Sequence, residues 1–277
     1  MLITTPHQTL DLKSRPHIMG IVNVTPDSFS DGGQMADNLA REVGEMVAAG
    51  VDILDVGGES TRPGAKPVPL DEELARVIPA IERIRHHHTT PISVDTSKAE
   101  VARQALEAGA DIINDISALR FDPAMLPLAV AKQAPLIIMH MQGTPGTMQQ
   151  EPHYDDVVGE IKGELNQWLD DATAGGLARE KIIIDPGIGF GKTLKHNLSI
   201  LKHLDRFQDL GCPLLLGHSR KRFIGEILGE DDPAARDQGT AVISALAAAK
   251  GAHIIRVHNV PLTAAALKLS QAIQGAQ

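Results

Sequence analysis

Eight short apolar runs, each closed by a cluster of polar residues, recur along the 277 residues of this chain. That repetition limits the fold more than any other feature. The runs are His17 to Val22, Asp52 to Val56, Pro91 to Val94, Ala110 to Ile113, Pro135 to Met139, Lys181 to Ile184, Pro213 to Leu216 and Ala252 to Val257. Each is rich in Ile, Val or Leu, the composition of a strand covered on both faces. The stretches between them are long enough for a helix, and several carry helical periodicity. In residues 71–85, Leu74, Val77, Ile78, Ile81 and Ile84 share one side, and residues 98–108 and 240–250 behave alike.

The runs end, in order, at Asn23, at Gly57-Gly58-Glu59-Ser60-Thr61-Arg62, at Asp95-Thr96, at Asn114-Asp115, at His140, at Asp185, at Ser219-Arg220-Lys221 and at Arg256 with His258. A doubly wound open sheet gathers its ligand at one switch point and uses two or three loops. In a (β/α)8 barrel all strand ends meet at one mouth, where active sites are built. Eight decorated ends predict the α/β class as a TIM barrel with its active site at the carboxyl ends of the strands. A chain of 277 residues suits such a barrel as one domain, 1–277, because no change of composition marks a linker. The longest irregular stretch, Gly143 to Tyr154, reads as a long mouth loop.

A net charge of −9 argues against a nucleic-acid footprint, although local Arg and Lys side chains still permit an anionic small ligand. The single Cys212 leaves neither an intrachain disulfide nor a cysteine cluster for zinc. No apolar run approaches a membrane span, and Met1 to Arg15 lacks the charged start and apolar core of a signal peptide. A cytoplasmic enzyme acting on small molecules is the expectation, with no nucleic-acid or membrane partner, and a homodimer is expected.

Three motifs are set aside. Pro186-Gly187-Ile188-Gly189-Phe190-Gly191-Lys192-Thr193 approaches a phosphate-binding P-loop, but Pro186 stands where the first glycine belongs and removes a backbone N–H. His86-His87-His88 reads as a solvated helix end, since consecutive side chains diverge and suit the negative end of the dipole. Arg220-Lys221-Arg222 at a helix start opposes the dipole, which suggests an anion or a ring nearby.

The loop Asn23-Val24-Thr25-Pro26-Asp27-Ser28-Phe29-Ser30-Asp31-Gly32-Gly33 holds more chemistry than a connector needs. Pro26-Asp27 and Asp31-Gly32 are ordinary turn starters, yet Asp27 and Asp31 also offer the hard oxygens that Mg²⁺ shares with phosphate. Together with Gly57 to Gly64, Ser93-Val94-Asp95-Thr96, Ile113-Asn114-Asp115, Met139 to Gly143, Asp185 to Lys192, Ser219-Arg220-Lys221 and Arg256-Val257-His258, this loop resembles the dihydropteroate synthase family from end to end.

The resemblance implies a reaction: p-aminobenzoate joins 6-hydroxymethyl-7,8-dihydropterin diphosphate, and diphosphate leaves. It implies Asp95, Asn114, Asp185, Lys221 and Arg256 around the pterin, and the residue types suit it. Carboxylates accept from the ring's amino and N–H edge, and an amide both gives and accepts. Asn23, Thr61, Arg62, Arg256 and His258 would take the diphosphate, with Mg²⁺ on Asn23 and Asp31. Phe29, Thr61, Pro63, Phe190 and Ser219 would take p-aminobenzoate, Ser219 from a helix start. The reacting set implied is Asn23, Asp27, Asp31, Arg62, Lys221, Arg256 and His258.

The family is thought to follow an SN1-like path, which suits a methylene conjugated to an electron-rich ring and needs no side-chain nucleophile. Asn259, where related sequences often carry Asp, and His218 are small departures. Three alternatives stay open: a corrinoid-dependent methyltransferase domain, a Schiff-base aldolase needing a lysine of depressed pKa in the mouth, and a non-catalytic pterin-binding paralogue.

Overall fold

A computed structural model of the chain describes residues 1–24, 34–61 and 64–276. It opens with a hairpin, β1 (Leu2–Thr4) and β2 (Thr9–Asp11). The repeating units follow as β3 (His17–Asn23), α1 (Gln34–Ala48), β4 (Ile53–Gly57), α2 (Leu70–His87), β5 (Ile92–Asp95), α3 (Ala99–Glu107), β6 (Ile112–Asp115), α4 (Met125–Lys132) and β7 (Leu136–Met139). Then come α5 (Val157–Ala174), β8 (Ile182–Asp185), α6 (Leu194–Lys202), β9 (Leu215–Leu216), α7 (Arg222–Leu228), α8 (Asp237–Ala249), β10 (Ile254–Val257) and α9 (Val260–Gln274).

The parallel strands run in the order β8-β7-β6-β5-β4-β3-β10-β9. A parallel bridge between Ile184 and Leu214, with Ile184 N donating to Pro213 O at 2.9 Å, brings the last strand back to β8 and nearly closes a (β/α)8 barrel. Every apolar run in the sequence supplies one strand. The side-chain period of two divides each strand between two environments. Leu54, Val56, Val94, Ile113, Ile138, Ile184, Leu216 and Val257 face outward and pack under the helices. Met19, Ile53, Ile112, Ile137, Ile183, Leu215 and Ile254 face inward and meet in one layer, none more than 1% exposed.

The hairpin was not visible in the sequence, because three-residue strands are too short to display an alternation. It closes the bottom of the barrel. Ile3, Leu10 and Leu12 join the inner apolar layer, and His7 Nδ1 lies 2.6 Å from the buried carboxylate of Asp111, which also accepts from Arg85 at 2.7 Å.

The helix over residues 70–87 has Asp71, Glu72 and Glu73 in its first turn and Arg85, His86 and His87 in its last, the arrangement its dipole favours. Its buried face differs from the apolar pattern alone. Val77, Ile81 and Ile84 are buried as the periodicity requires, but Glu73 and Arg76 are buried beside them. Arg76 serves the loop that follows β4, donating to Gly58 O at 2.7 Å, and Glu73 serves the one that follows β5, where it meets Thr96 and Lys98.

Because the hairpin fills the barrel floor, Leu12→Ala should destabilise the fold by about 2–5 kcal/mol, the range for a buried Leu truncation. Urea unfolding measures this, and a change near zero would separate the hairpin from the core.

Candidate active site

One step further along the strands, the inward positions change character. Above the apolar layer stand Asp55 on β4, Asp95 on β5, Asn114 on β6, Asp185 on β8 and Arg256 on β10. Ile21 and Met139 complete this level. Gly217, just past β9, adds no side chain: a Cβ there would lie 3.4 Å from Asp185 Oδ2 and 4.0 Å from Arg256 Cδ. Asp185 and Arg256 therefore border one space kept open by a glycine.

Arg256 ties this layer together. Its Nε donates to Asp55 Oδ2 and its Nη2 to Asp95 Oδ2, both at 2.6 Å, while the Asn114 amide lies 3.3 Å from Asp55. Charge-assisted bonds to a planar guanidinium fix orientation as well as charge. Asp55 and Asp95 hold the guanidinium pKa above the ordinary arginine range, against the burial that opposes its charge.

The carboxylates respond the opposite way. Burial pushes Asp95 up to about 7, with Arg256 opposing the rise and Asp55, Glu73 and Asp115 adding to it. Burial likewise lifts Asp185 to about 6, against its hydrogen bond from Gly187 N and the charges of Lys221, Lys192 and Arg256. Two acceptors of raised basicity in a recessed polar layer suit a neutral ring that presents N–H donors.

The loops above β8 and β9 form one wall. The Lys221 ammonium sits 3.8 Å from the centre of the Phe190 ring. Phe190 is buried with Ile116, Met139, Met141 and Met148. The ring that the Arg220-Lys221-Arg222 run called for is thus in part the protein's own. Arg220 does not face it, since both its Nε and Nη2 donate to Asp237. Ser219 is not at a helix start: α7 begins at Arg222, three residues on. Its hydroxyl is instead 2.9 Å from His258 Nδ1 and accepts from His258 N at 3.1 Å, so these two residues from different strand ends act as one unit.

The lysine of the P-loop-like run is buried at 3% exposure. Lys192 Nζ donates to Phe190 O at 2.8 Å and to His140 O at 3.4 Å and lies 3.0 Å from His140 Nδ1. Thr193 caps α6 in a capping box with His196, not a phosphate. Burial lowers the Lys192 pKa to about 7. Although that resembles a Schiff-base lysine, the protein's own acceptors engage its ammonium.

A model of the pterin binding enzyme family matches residues 19–258. The dihydropteroate synthase of Synechocystis sp. is 48% identical over 96% of this chain and 93% of its own length. The Yersinia pestis dihydropteroate synthase, solved in a sulfonamide drug complex, superposes with a TM-score of 0.94 at 44% identity over the whole of both chains. That of Xanthomonas albilineans, in complex with 7,8-dihydropteroate, gives 0.89 at 42% identity, again over both whole chains. This chain belongs to the dihydropteroate synthase family.

Against that family's pattern, the structure brings Asp95, Asn114, Asp185 and Arg256 into one layer, with Lys221, Phe190, Ser219 and His258 at the neighbouring strand ends. Asn23 is exposed at the end of β3, paired in register with Gly57, and Thr61 is half-buried. Asp27, Phe29, Asp31, Arg62 and Pro63 lie outside the described residues. The sequence reading of dihydropteroate synthase motifs missed Asp55. Its signal was present as a lone carboxylate inside the run Ile53-Leu54-Asp55-Val56, where a doubly buried strand has no use for one. Asn259 caps α9, accepting from Leu262 N at 3.1 Å, and donates to Asp237 at 3.0 Å. His218 is buried against Thr240 O and Ser244.

Among the described residues no group of three or more His, Cys, Asp or Glu side chains is arranged to hold a metal ion. Asn23 nonetheless fits Mg²⁺, which keeps several waters and usually takes one or two protein oxygens beside substrate phosphates.

The folded state binds the Asp185 proton more tightly than the unfolded chain does, because burial raises its pKa from 3.8 to about 6. Its ionised form therefore costs stability above that pH, and the cost fades as pH falls through 6 toward 4. Asp185→Asn should melt higher than the parent at about pH 8, with the difference shrinking on acidification through that window. Equal melting temperatures across the range would mean that the carboxylate is not strained by burial.

Proposed function

We propose that this chain catalyses the dihydropteroate synthase reaction, condensing 6-hydroxymethyl-7,8-dihydropterin diphosphate with p-aminobenzoate to 7,8-dihydropteroate and diphosphate in folate biosynthesis. One observation carries this reading: the buried layer of Asp95, Asn114 and Asp185 around Arg256, in a chain that matches dihydropteroate synthases over nearly its whole length.

The pterin lies in the recess left by Gly217, its 2-amino group and ring N–H donating to Asp185 and Asp95, with Asn114 at the ring nitrogens and Lys221 toward the 4-oxo group. Asp55 takes no part in ring contact. It holds the Arg256 guanidinium level, so that the remaining N–H groups and planar face of Arg256 are directed to the ring and the diphosphate. Asn23, Thr61, Arg62 and His258 complete the diphosphate site. Asn23 and Asp31 would hold Mg²⁺, which would neutralise charge on the leaving diphosphate.

The bond between methylene and diphosphate breaks in an SN1-like step. Positive charge then spreads from the methylene into the ring, where the nearby carboxylates offset it. Arginine and histidine at the strand ends stabilise the departing anion. The arylamine attacks next, and its proton leaves to water or to released diphosphate. Phe29, Thr61, Pro63, Phe190 and Ser219 form the p-aminobenzoate site, which sulfonamides share. Asp27 completes the reacting set in the first loop.

Charged, diffusible substrates suit a cytoplasmic enzyme, and no described helix is long and apolar enough to cross a membrane. The reading includes a homodimer. Helices α8 and α9 pack together and expose Val242 and Leu246, each 60%, beside Leu269 at 67% and Ile273 at 76%, an apolar face larger than isolated surface residues would leave. Leu246→Glu should convert dimer to monomer in sedimentation velocity, and a parent protein already monomeric at micromolar concentration removes the dimer.

Three of the five residues of the proposed p-aminobenzoate site, Phe29, Thr61 and Pro63, lie on the loops after β3 and β4. Binding of p-aminobenzoate or a sulfonamide should therefore strengthen once the pterin, diphosphate and Mg²⁺ are present, by about 1–3 kcal/mol in the usual range of site coupling. Calorimetry with and without those three components tests it, and equal affinities would mean a preformed pocket. In the same assay Asp185→Asn should weaken a pterin lacking the diphosphate by roughly 2 kcal/mol, since an amide N–H then faces a ring N–H.

A further inference from the structure

Between the carboxyl end of β7 and α5 lies a second polar group that the reaction does not use. His140 directly follows β7 and is fully buried, stacked 5.8 Å from Trp168 of α5. Its ring lies between Lys192 and Glu164, with Nδ1 3.0 Å from Lys192 Nζ and Nε2 3.4 Å from the Glu164 carboxylate. Burial and Lys192 lower the His140 pKa to about 4. The ring is neutral in the working range, so Nδ1 accepts from Lys192 and Nε2 carries the proton toward Glu164.

The same lysine closes a loop. Lys192 donates to Phe190 O, Tyr154 donates to Gly191 O at 3.0 Å, and Gly187 turns at φ 67° so close to His140 that a Cβ would run into its carbonyl. His140 N in turn donates to Asp185 O at 2.9 Å. The loop from Asp185 to Lys192 is thus sewn to the end of β7, and it carries both the Asp185 carboxylate and the Phe190 wall.

We propose that Lys192 is a positioning residue for the pterin site: it clamps the loop between β8 and α6 onto β7 and keeps a positive charge near Asp185, so that this carboxylate stays ionised to receive the pterin N–H groups. The inference rests on the dihydropteroate synthase reading. Lys192 and Asp185 act on each other through charge, without a direct ion pair. The charged or titratable groups facing Lys192 are Asp185 on β8, Lys221 before α7, Glu164 on α5, His196 on α6 and His140 just past β7. Those facing Asp185 are Lys221, Lys192 and Arg256. Lys221 and Arg256 stand on the mouth side where substrate binds, whereas Lys192 is inside the protein and its charge is not shared with a ligand. Burying an ammonium costs stability unless it is paired or hydrogen-bonded, and here it also favours ionisation of the one carboxylate of the layer that Arg256 does not bond.

The test is the pH dependence of 6-hydroxymethylpterin binding by calorimetry, on the parent and on Lys192→Met. The parent should lose affinity as pH falls through about 6, where Asp185 takes up its proton. In Lys192→Met the acid limb should move up by about half a pH unit or more, giving severalfold weaker binding near pH 6. The two proteins should converge well above pH 7, where Lys192 has itself lost its proton. A uniform loss of affinity at every pH would mean that Lys192 only braces the loop, and an unchanged profile would remove it altogether; either overturns the proposal. Absence of pterin binding in the parent would instead overturn the functional reading. Should Lys192→Met not fold, the parent's aspartate carboxyl ¹³C resonances, assigned with Asp185→Asn, serve in its place. Asp185 should show a second, smaller inflection near the Lys192 pKa of about 7, and a single inflection would defeat the proposal.

Discussion

One guanidinium holds the working layer of this barrel in place. Arg256 reaches from β10 to carboxylates on β4 and β5, across the strand that separates them, and thereby ties three strands of the ring at the level of the site. The layer below is apolar on seven of the eight strands, with Ser93 from β5 the exception, and carries no ion pair of this kind. Taking two carboxylates out of water would be expensive without a fixed counter-charge, and a planar donor that meets both makes the arrangement stable enough to keep. Asp185 is left out of that pairing. It has only a backbone N–H and more distant charges, which is the condition of a group reserved for a ligand.

The site is therefore built against the protein's own stability. Burial raises Asp95 and Asp185 toward neutrality, and the surrounding structure supplies the compensation: the aliphatic floor, the hairpin that seals it and the salt bridges at the rim. Binding groups that suffer from lost hydration gain most when a ligand restores their hydrogen bonds. In the proposed site this is the physical basis for selecting a ring edge with adjacent donors over an anion, which these carboxylates would repel.

Two loops are braced in a similar way. After β4, Arg76 holds Gly58 O while Lys98 bridges Glu59 and the buried Glu73. After β8, Lys192 and Tyr154 hold Phe190 O and Gly191 O. In both cases a buried polar side chain takes a loop carbonyl, which fixes the start of the loop without filling the mouth.

Periodicity alone carried the architecture. Eight doubly buried runs with helix-length spacers can pair only as a parallel sheet, and decorated carboxyl ends favoured the barrel. Asp95, Asn114, Asp185, Arg256 and His258 were legible because they stand where an apolar run stops. Asp55 and Lys192 were not, since one is hidden inside a run and the other in a loop that imitates a phosphate-binding motif. The short hairpin escaped because three residues cannot show a pattern, and the helix start expected at Ser219 falls at Arg222. Sequence thus determined which residues end strands, a property of local composition. Tertiary structure decided which charges meet, because the partners of Arg256 lie 201 and 161 residues away in the chain and only barrel closure makes them neighbours.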